Sequence, residues 1–347
     1  MGRRVLVTGL GTFWGGRVAQ ALERDPSVDV IVGLDRKDPA VELERTEFVR
    51  ADDSYSILDR IVRATKVDTI VHTFLVVDST QMPSARIHET NAIGTMNLFA
   101  AASAPAGTVR NVVVKSSTLV YGASPRDPNW FDEDTRRAAR ARTRVERSLL
   151  EVEGYVRDYA VDNPHVTVSL LRFSNVLGPD IRTPLARLLE LPAVPQIAGF
   201  DPRLQFVHED DVVRSMLFVL NEEHPGVYNV AGDGLPSWSE VAAICGKRLL
   251  PLPPWGTGLV TGPLARFGIE FPPELLALLR FGRGVDNRRL KEAGFRYTFT
   301  STGTVEAFAE GMRLRRTVGE THPTYTYERD VEAFFRHSPA VVRYRGE

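Results

Sequence analysis

Residues 8–16 read TGLGTFWGG and lie between the apolar run Val5-Leu6-Val7 and a helical pattern over residues 15–24. A glycine-rich turn from strand to helix lets the backbone approach a pyrophosphate, and it aims free amides from a helix N-terminus at that anion. The glycines here, Gly9, Gly11, Gly15 and Gly16, fit neither common dinucleotide-binding spacing. The turn alone is therefore a weak signal. What strengthens it is Asp35, which closes the next apolar run, VDVIVGLD. The dinucleotide fingerprint places an acid about 20 residues on, bonding the ribose hydroxyls. An acid there favours NAD. Arg36 and Lys37 follow at once and could receive a 2′-phosphate, so NADP stays open.

Outward from this turn, β-rich runs at residues 4–7, 28–34, 47–49, 69–73, 111–116 and 167–173 alternate with helical patterns at 15–24, 54–65, 85–103 and 135–162. Such alternation predicts βαβ units and a doubly wound parallel sheet of Rossmann type. VDVIVGLD and NVVV are nearly continuous apolar runs, as strands buried on both faces should be. Beyond residue 178 proline and glycine become frequent. Helical patterns follow at 182–190, 209–220, 237–249 and 272–281, with a Pro/Gly-rich connection at 250–262. The expected division is a dinucleotide-binding domain over 1–178 and a smaller interleaved C-terminal substrate lobe over 179–347. Residues at about 204–232 should return to the first domain. The tail from residue 311 reads as a partly helical packed extension.

Bulk properties exclude other classes. The 347 residues carry a net charge of −1, which argues against a nucleic-acid binder. The single cysteine, Cys245, cannot form an internal disulfide and reads as a small buried hydrophobe. No apolar run has the length of a membrane span, which takes about 18 residues or more. A cytoplasmic protein is the expectation. No His/Cys/Asp cluster has metal-ligand spacing and no G-x-S-x-G elbow occurs, so neither a metal nor hydrolase chemistry is expected.

A series of further segments carries a family likeness. The turn itself resembles TGxxGxxG, with Thr12 where a glycine is usual. Phe48-Val49-Arg50-Ala51-Asp52 resembles FVxGD, Asn91–Asn97 resembles NVxGTxN, and Ser116–Gly122 resembles SSxxVYG. LRFSNVLGP at 171–179 resembles LRxxNxxGP, FVHEDDV at 206–212 resembles FxHVDDV, and YNVAG at 228–232 resembles YNxxG. The chain is thus identified as an atypical member of the extended short-chain dehydrogenase/reductases, the NAD-dependent epimerase/dehydratase group, over residues 4 to about 310. The resemblance implies a cofactor site at Gly9, Gly11, Thr12, Phe13, Trp14, Gly15, Asp35, Arg36, Asp52, Asp53, Thr73, Phe74, Leu75, Asn91 and Ser116. It implies a substrate-polarising Ser117, with Tyr121 as a candidate catalyst, and ligand contacts from Asn175, Arg182, Arg203 and His208. Arg172 is a further candidate for a phosphate-bearing ligand. A homodimer through the 135–162 segment is also implied.

Two departures matter. Redox chemistry in this family uses a Tyr-x-x-x-Lys pair on one helix face, where the lysine lowers the tyrosine pKa. Aligned on the downstream acid, Val145 and Leu149 occupy those positions, and none of the nine tyrosines has lysine four residues on. On the fourth strand the small residues usual after the histidine are replaced by Phe74 and Leu75, which are expected to crowd the cofactor. Substitute acid–base groups would be Tyr121, Glu146, Arg147, His208 or Lys115. Lys115 is unusual in a central strand and is expected to snorkel to the cleft edge. Three readings stay open. One is a dinucleotide-binding protein with a degenerate site that also holds a nucleotide-sugar-like ligand. The second is a non-catalytic sensor or scaffold. The third is an active epimerase, dehydratase, reductase or other enzyme with a non-standard acid/base.

Overall fold

A computed structural model describes residues 2–103, 107–254 and 272–318, with residues 331, 334–335 and 338–342 of the tail. Seven parallel strands form the central sheet: β1 (Arg3–Thr8), β2 (Val28–Asp35), β3 (Thr46–Arg50), β4 (Thr69–His72), β5 (Asn111–Ser117), β7 (Thr167–Phe173) and β11 (Gly226–Val230), in the order β11-β7-β5-β4-β1-β2-β3. The chain winds outward from β1 through β2 and β3, then crosses to β4 on the other side. The switch point therefore lies between β1 and β4, where open α/β sheets place their ligands.

Both faces of the sheet are covered, as its apolar runs require. One core packs Leu6, Ile70, Val112 and Val114 under α2 (Tyr55–Thr65), α4 (Gly94–Ala102) and α5 (Arg144–Asp162). The other packs Val5, Val7, Val71 and Val113 under α1 (Phe13–Glu23) and α7 (Glu209–Glu222). Alternate residues of one strand thus serve opposite cores. A third core joins α6 (Pro184–Glu190), α8 (Trp238–Ile244), the helix Pro273–Phe281 and the helix Ser301–Val318 through Leu188, Trp238, Leu278 and Phe308. Small parallel pairs brace this part: β8 (Asn175–Leu177) with β10 (Phe206–His208), β9 (Ala193–Ile197) with β12 (Arg248–Leu252), and β6 (Trp130–Phe131) with β13 (Gly284–Val285). The doubly wound sheet is as expected from sequence.

Three elements differ from expectation. The helix expected at 85–103 is α3 (Ser84–His88), a π turn (Glu89–Ile93) and then α4. The helix expected from 135 begins only at Arg144, where Thr143 caps it by accepting the Glu146 amide at 3.2 Å. Residues 135–143 are instead held as loop by side-chain bonds, including Thr135 to Asp132 at 2.5 Å and Arg137 to the Ala139 carbonyl at 2.7 Å. The helix expected at 237–249 ends at Ile244, and residues 248–252, read as helix end and connection, pair with β9 as strand β12. Residues 255–262 of that connection lie outside the described residues. The described tail residues return to the first half: Arg4 donates to the Ala340 carbonyl at 2.7 Å and the Val342 amide to the Ala64 carbonyl at 2.7 Å.

Candidate functional site

The turn after β1 is built for close approach. Gly9 has φ +79°, and a side chain there would meet the Phe74 backbone nitrogen at 2.6 Å. A Cβ on Gly15 would stand 2.1 Å from the Gly9 carbonyl. Thr12, where the common pattern has glycine, works as a cap: its hydroxyl donates to the Gly9 carbonyl at 2.7 Å and accepts the Gly15 amide at 3.1 Å. The amides of Phe13 and Trp14 have no acceptor among the described residues and open α1 toward an anion. Phe13 packs edge-on against Trp14, with ring centroids 4.9 Å apart, and Trp14 lines the neighbouring cleft.

Asp35 closes this turn, accepting the Gly11 amide and the Lys37 amide at 3.0 Å each. Burial raises its carboxyl above the usual range, against those amides, which hold it down. Arg36 does not stand free: it pairs with Asp53 at 2.7 Å, tying the end of β2 to the residues after β3. Asp52 is exposed and accepts the Ser54 amide at 3.1 Å.

On the facing strand end, Thr73 donates to the Thr8 carbonyl at 2.8 Å and stitches β4 to β1. Phe74 stands against the turn, its backbone beside Gly9 and its ring beside Gly94. Leu75 does not stand with it. It is buried in the core under α2, α4 and α5, because the chain has turned inward by one residue. Asn91 is also committed elsewhere: it accepts the Val76 amide at 2.7 Å and donates to the Val76 carbonyl and Ser148. It braces the 73–77 segment rather than presenting a polar group to a cofactor.

Beside the turn lies a cleft with a cavity volume of about 130 Å³, walled by the end of β5, the start of β8 and the helix Pro273–Phe281. Ser117 and Asn175 line it as expected. Ser117 accepts the Leu119 amide at 3.2 Å, and Asn175 donates to the Gln205 carbonyl at 2.8 Å. Ser116, its neighbour on β5, also borders the cleft, yet its hydroxyl is given to Glu153 at 2.7 Å. Tyr121, the candidate catalyst, does not line this cleft. It is 1% exposed, its hydroxyl lies 2.8 Å from Asn229 Oδ1 and accepts from Arg172 at 2.7 Å, and burial pushes it up to about 12. Arg172 is spent on Glu153 at 2.6 Å.

The remaining ligand candidates stand away from the cleft lining. His208 caps α7 by accepting the Asp210 amide at 3.2 Å and stacks on Phe299 at 3.9 Å, and burial lowers its pKa. Arg203 is exposed and holds the Leu235 carbonyl at 2.9 Å. Arg182 reaches the Pro179 carbonyl at 3.4 Å. Glu146 binds Arg137 at 3.0 Å, and Arg147 reaches the Thr143 carbonyl. Each is held by a local backbone or ionic partner, which a motif match cannot reveal.

Three charged groups line the cleft instead. Lys115 on β5 is 4% exposed. Arg283 is 5% exposed, and the Gly122 carbonyl at 2.8 Å is its hydrogen-bond partner among the described residues. Glu274, in the first turn of the helix Pro273–Phe281, takes the Ser79 hydroxyl at 3.1 Å on one oxygen and, among the described residues, nothing on the other. Burial brings Lys115 down to about 8 and Arg283 to about 10. Lys115 carried a sequence signal, as an ion in an apolar strand. Glu274 and Arg283 did not, since in sequence they resemble solvated charges flanking an amphipathic helix.

A family model of the NAD dependent epimerase/dehydratase family matches residues 5–231. The chain belongs to this family. Among curated relatives, an uncharacterised protein of Mycobacterium tuberculosis is 35% identical over 318 residues, covering 90% of this chain and 84% of the relative. Among solved structures, MoeE5 in complex with UDP-glucose and NAD superposes with a TM-score of 0.67 at 22% identity, over 90% of this chain and 99% of that one. The UDP-glucose 4-epimerase of Thermotoga maritima with UDP-glucose gives 0.70 at 18% identity, over the same shares.

On α5 stand the two residues that the sequence aligns with the tyrosine–lysine pair. Val145 and Leu149 lie one helical turn apart and are 0% exposed, packed in the core beneath the sheet. Neither borders the cleft. Among the described residues no group of three or more His, Cys, Asp or Glu could hold a metal, and no helix is long and apolar enough to cross a membrane.

Proposed function

We infer that this epimerase/dehydratase-family chain binds NAD on the turn at 8–16 and a nucleotide-sugar-like ligand in the adjoining cleft. The site no longer carries the family's Tyr-x-x-x-Lys machinery. The observation that carries the reading is the turn itself: open Phe13 and Trp14 amides at the start of α1, with Asp35 at the end of the neighbouring strand. Bound there, NAD would supply a hydride acceptor to the cleft that Trp14 lines. NAD is favoured over NADP because Asp53 already neutralises Arg36, the side chain best placed for a 2′-phosphate. MoeE5 with its UDP-glucose and NAD supports the same pairing of ligands.

Calorimetry tests it. NAD should bind, and NADP at least about tenfold more weakly, a difference of about 1.4 kcal/mol. The absence of heat with NAD, NADH, NADP and NADPH overturns the reading. A second reading, a non-catalytic sensor or scaffold, is favoured by the burial of Val145 and Leu149. The nicotinamide-reduction experiment below separates the two.

A further inference from the structure

The cleft holds an arrangement that protein packing alone does not explain. Lys115 is nine-tenths buried, yet among the described residues its ammonium has neither a hydrogen bond nor an ion pair. Buried lysine is rare unless paired. Its neighbour His72 is no counter-ion. That ring lies between the Thr8 and Thr95 hydroxyls at 2.8 and 2.9 Å, and burial followed by the Lys115 charge drives it down to about 3. On the helix wall, one carboxylate oxygen of Glu274 is buried without a partner among the described residues, and beside Asn175 so is the Ser174 hydroxyl. A cation on the β5 wall and an anion on the helix wall thus line one cleft with no ion pair between them. An unsatisfied buried ion costs far more than a satisfied one, so each persists where a ligand completes it. A donor on one wall and an acceptor on the other is the complement of a hydroxyl-rich ligand, whose OH groups both give and take hydrogen bonds.

We propose that Lys115 replaces the missing tyrosine–lysine pair: its side-chain nitrogen takes a proton from, and returns it to, a hydroxyl of a sugar-type ligand that Glu274 holds from the helix wall of the same cleft. This deepens the function proposed above and rests on it for the hydride acceptor, NAD. The balance closes with one base. With NAD bound as the hydride acceptor, loss of hydride from the carbinol C–H would be matched by cleavage of the O–H bond, the proton passing to the neutral Lys115 amine as the C=O bond forms. The ammonium returns the proton when hydride comes back. Ser117, one residue pair along the same face of β5, donates to the same oxygen. A side chain titrating near about 8 holds both protonation states at working pH, as a proton shuttle needs. An unbranched amine reaching from β5 does from the sheet what the family does from a helix.

The full chain has five lysines, Lys37, Lys66, Lys115, Lys247 and Lys291, so protein with isotope-labelled lysine side chains gives a countable NMR spectrum. Lys115→Arg assigns the signal. With NAD present, UDP-glucose or UDP-glucuronic acid should move the Lys115 signal, whereas UDP alone, which lacks the sugar, should not. On mixing, wild type should reduce nicotinamide with one of these sugars. Lys115→Arg keeps the charge but cannot release the proton. It should keep sugar-nucleotide affinity within about threefold while losing reduction by about a hundredfold or more. Lys115→Met should fold with an unchanged or raised melting temperature, since it removes an unpaired buried charge. The proposal is overturned if neither sugar nucleotide moves the Lys115 signal, if wild type reduces no nicotinamide, or if Lys115→Arg reduces it as fast as wild type. A failure of NAD to bind while the Lys115 signal still moves sinks the cofactor reading and the proton step, and leaves the ligand contact. The two failures are therefore told apart.

Discussion

At the scale of single residues, the site is defined as much by what is buried as by what is open. Val145 and Leu149 show this. A sequence comparison invites their conversion to tyrosine and lysine, but both pack at 0% exposure in the core. Leu149→Lys would leave an uncompensated ammonium there, with an expected loss on the order of 3–5 kcal/mol. Val145→Tyr would add overpacking of about 1–3 kcal/mol. The double variant should lower the denaturant midpoint sharply and restore no turnover. A midpoint equal to wild type would show that the helix can rotate to present these positions to the cleft. What could be read from the sequence here was the absence of the pair. What could not be read was whether its replacements faced the ligand, because residue type does not report which way a helix face points. Lys115 is the opposite case. Its oddity was visible in NVVVKSS, and the geometry supplied the reason by leaving it unpaired on the cleft wall.

At the scale of elements, the start of α7 is a clamp. Glu209 follows the capping His208 and is 2% exposed. It accepts the Ile181 amide at 2.8 Å and the Asp180 amide at 3.2 Å, holding the 178–181 segment against the helix. Burial pushes its carboxyl up to about 7 from an ordinary 4.5, despite those amides, which pull it down. In the window from about 4.5 to about 7 the folded chain keeps a proton that the unfolded chain has released. Stability from this group is therefore full below the window and falls as pH rises through it. Glu209→Gln, neutral throughout, should flatten that slope. Urea unfolding at about pH 5 and about pH 8 checks it, and an equal slope in both proteins would assign the pH dependence elsewhere. Motif matching marked this stretch through His208, Asp210 and Asp211. Glu209, where the resembling pattern has valine, proves to be the residue that joins two elements.

At the scale of the whole molecule, the parallel sheet was legible because buried strands such as VDVIVGLD write their environment directly into an apolar run. The short pairs β6–β13, β8–β10 and β9–β12 were not, since two to five residues carry too little pattern to separate strand from loop. The cleft was legible on its sheet wall, at Ser117 and Asn175, and illegible on the other, where Glu274 arrives from far along the chain. The tail packs against the opposite end of the sequence: Phe334 is 0% exposed in the core that includes Leu6 and Ile61. Phe334→Ala should cost about 3–5 kcal/mol, read as a shift in the urea midpoint. A neutral result would mean the tail is dispensable to the first core. The same latch sets an order in time. Arg4 must wait for Ala340, and Ala64 for Val342, so β1 and α2 gain these partners only after the rest of the described chain has been made. Until then their edge and the core beneath are open to chaperones or to misassembly, and a stop codon before the latch would yield a chain with a finished cleft and an unsealed floor.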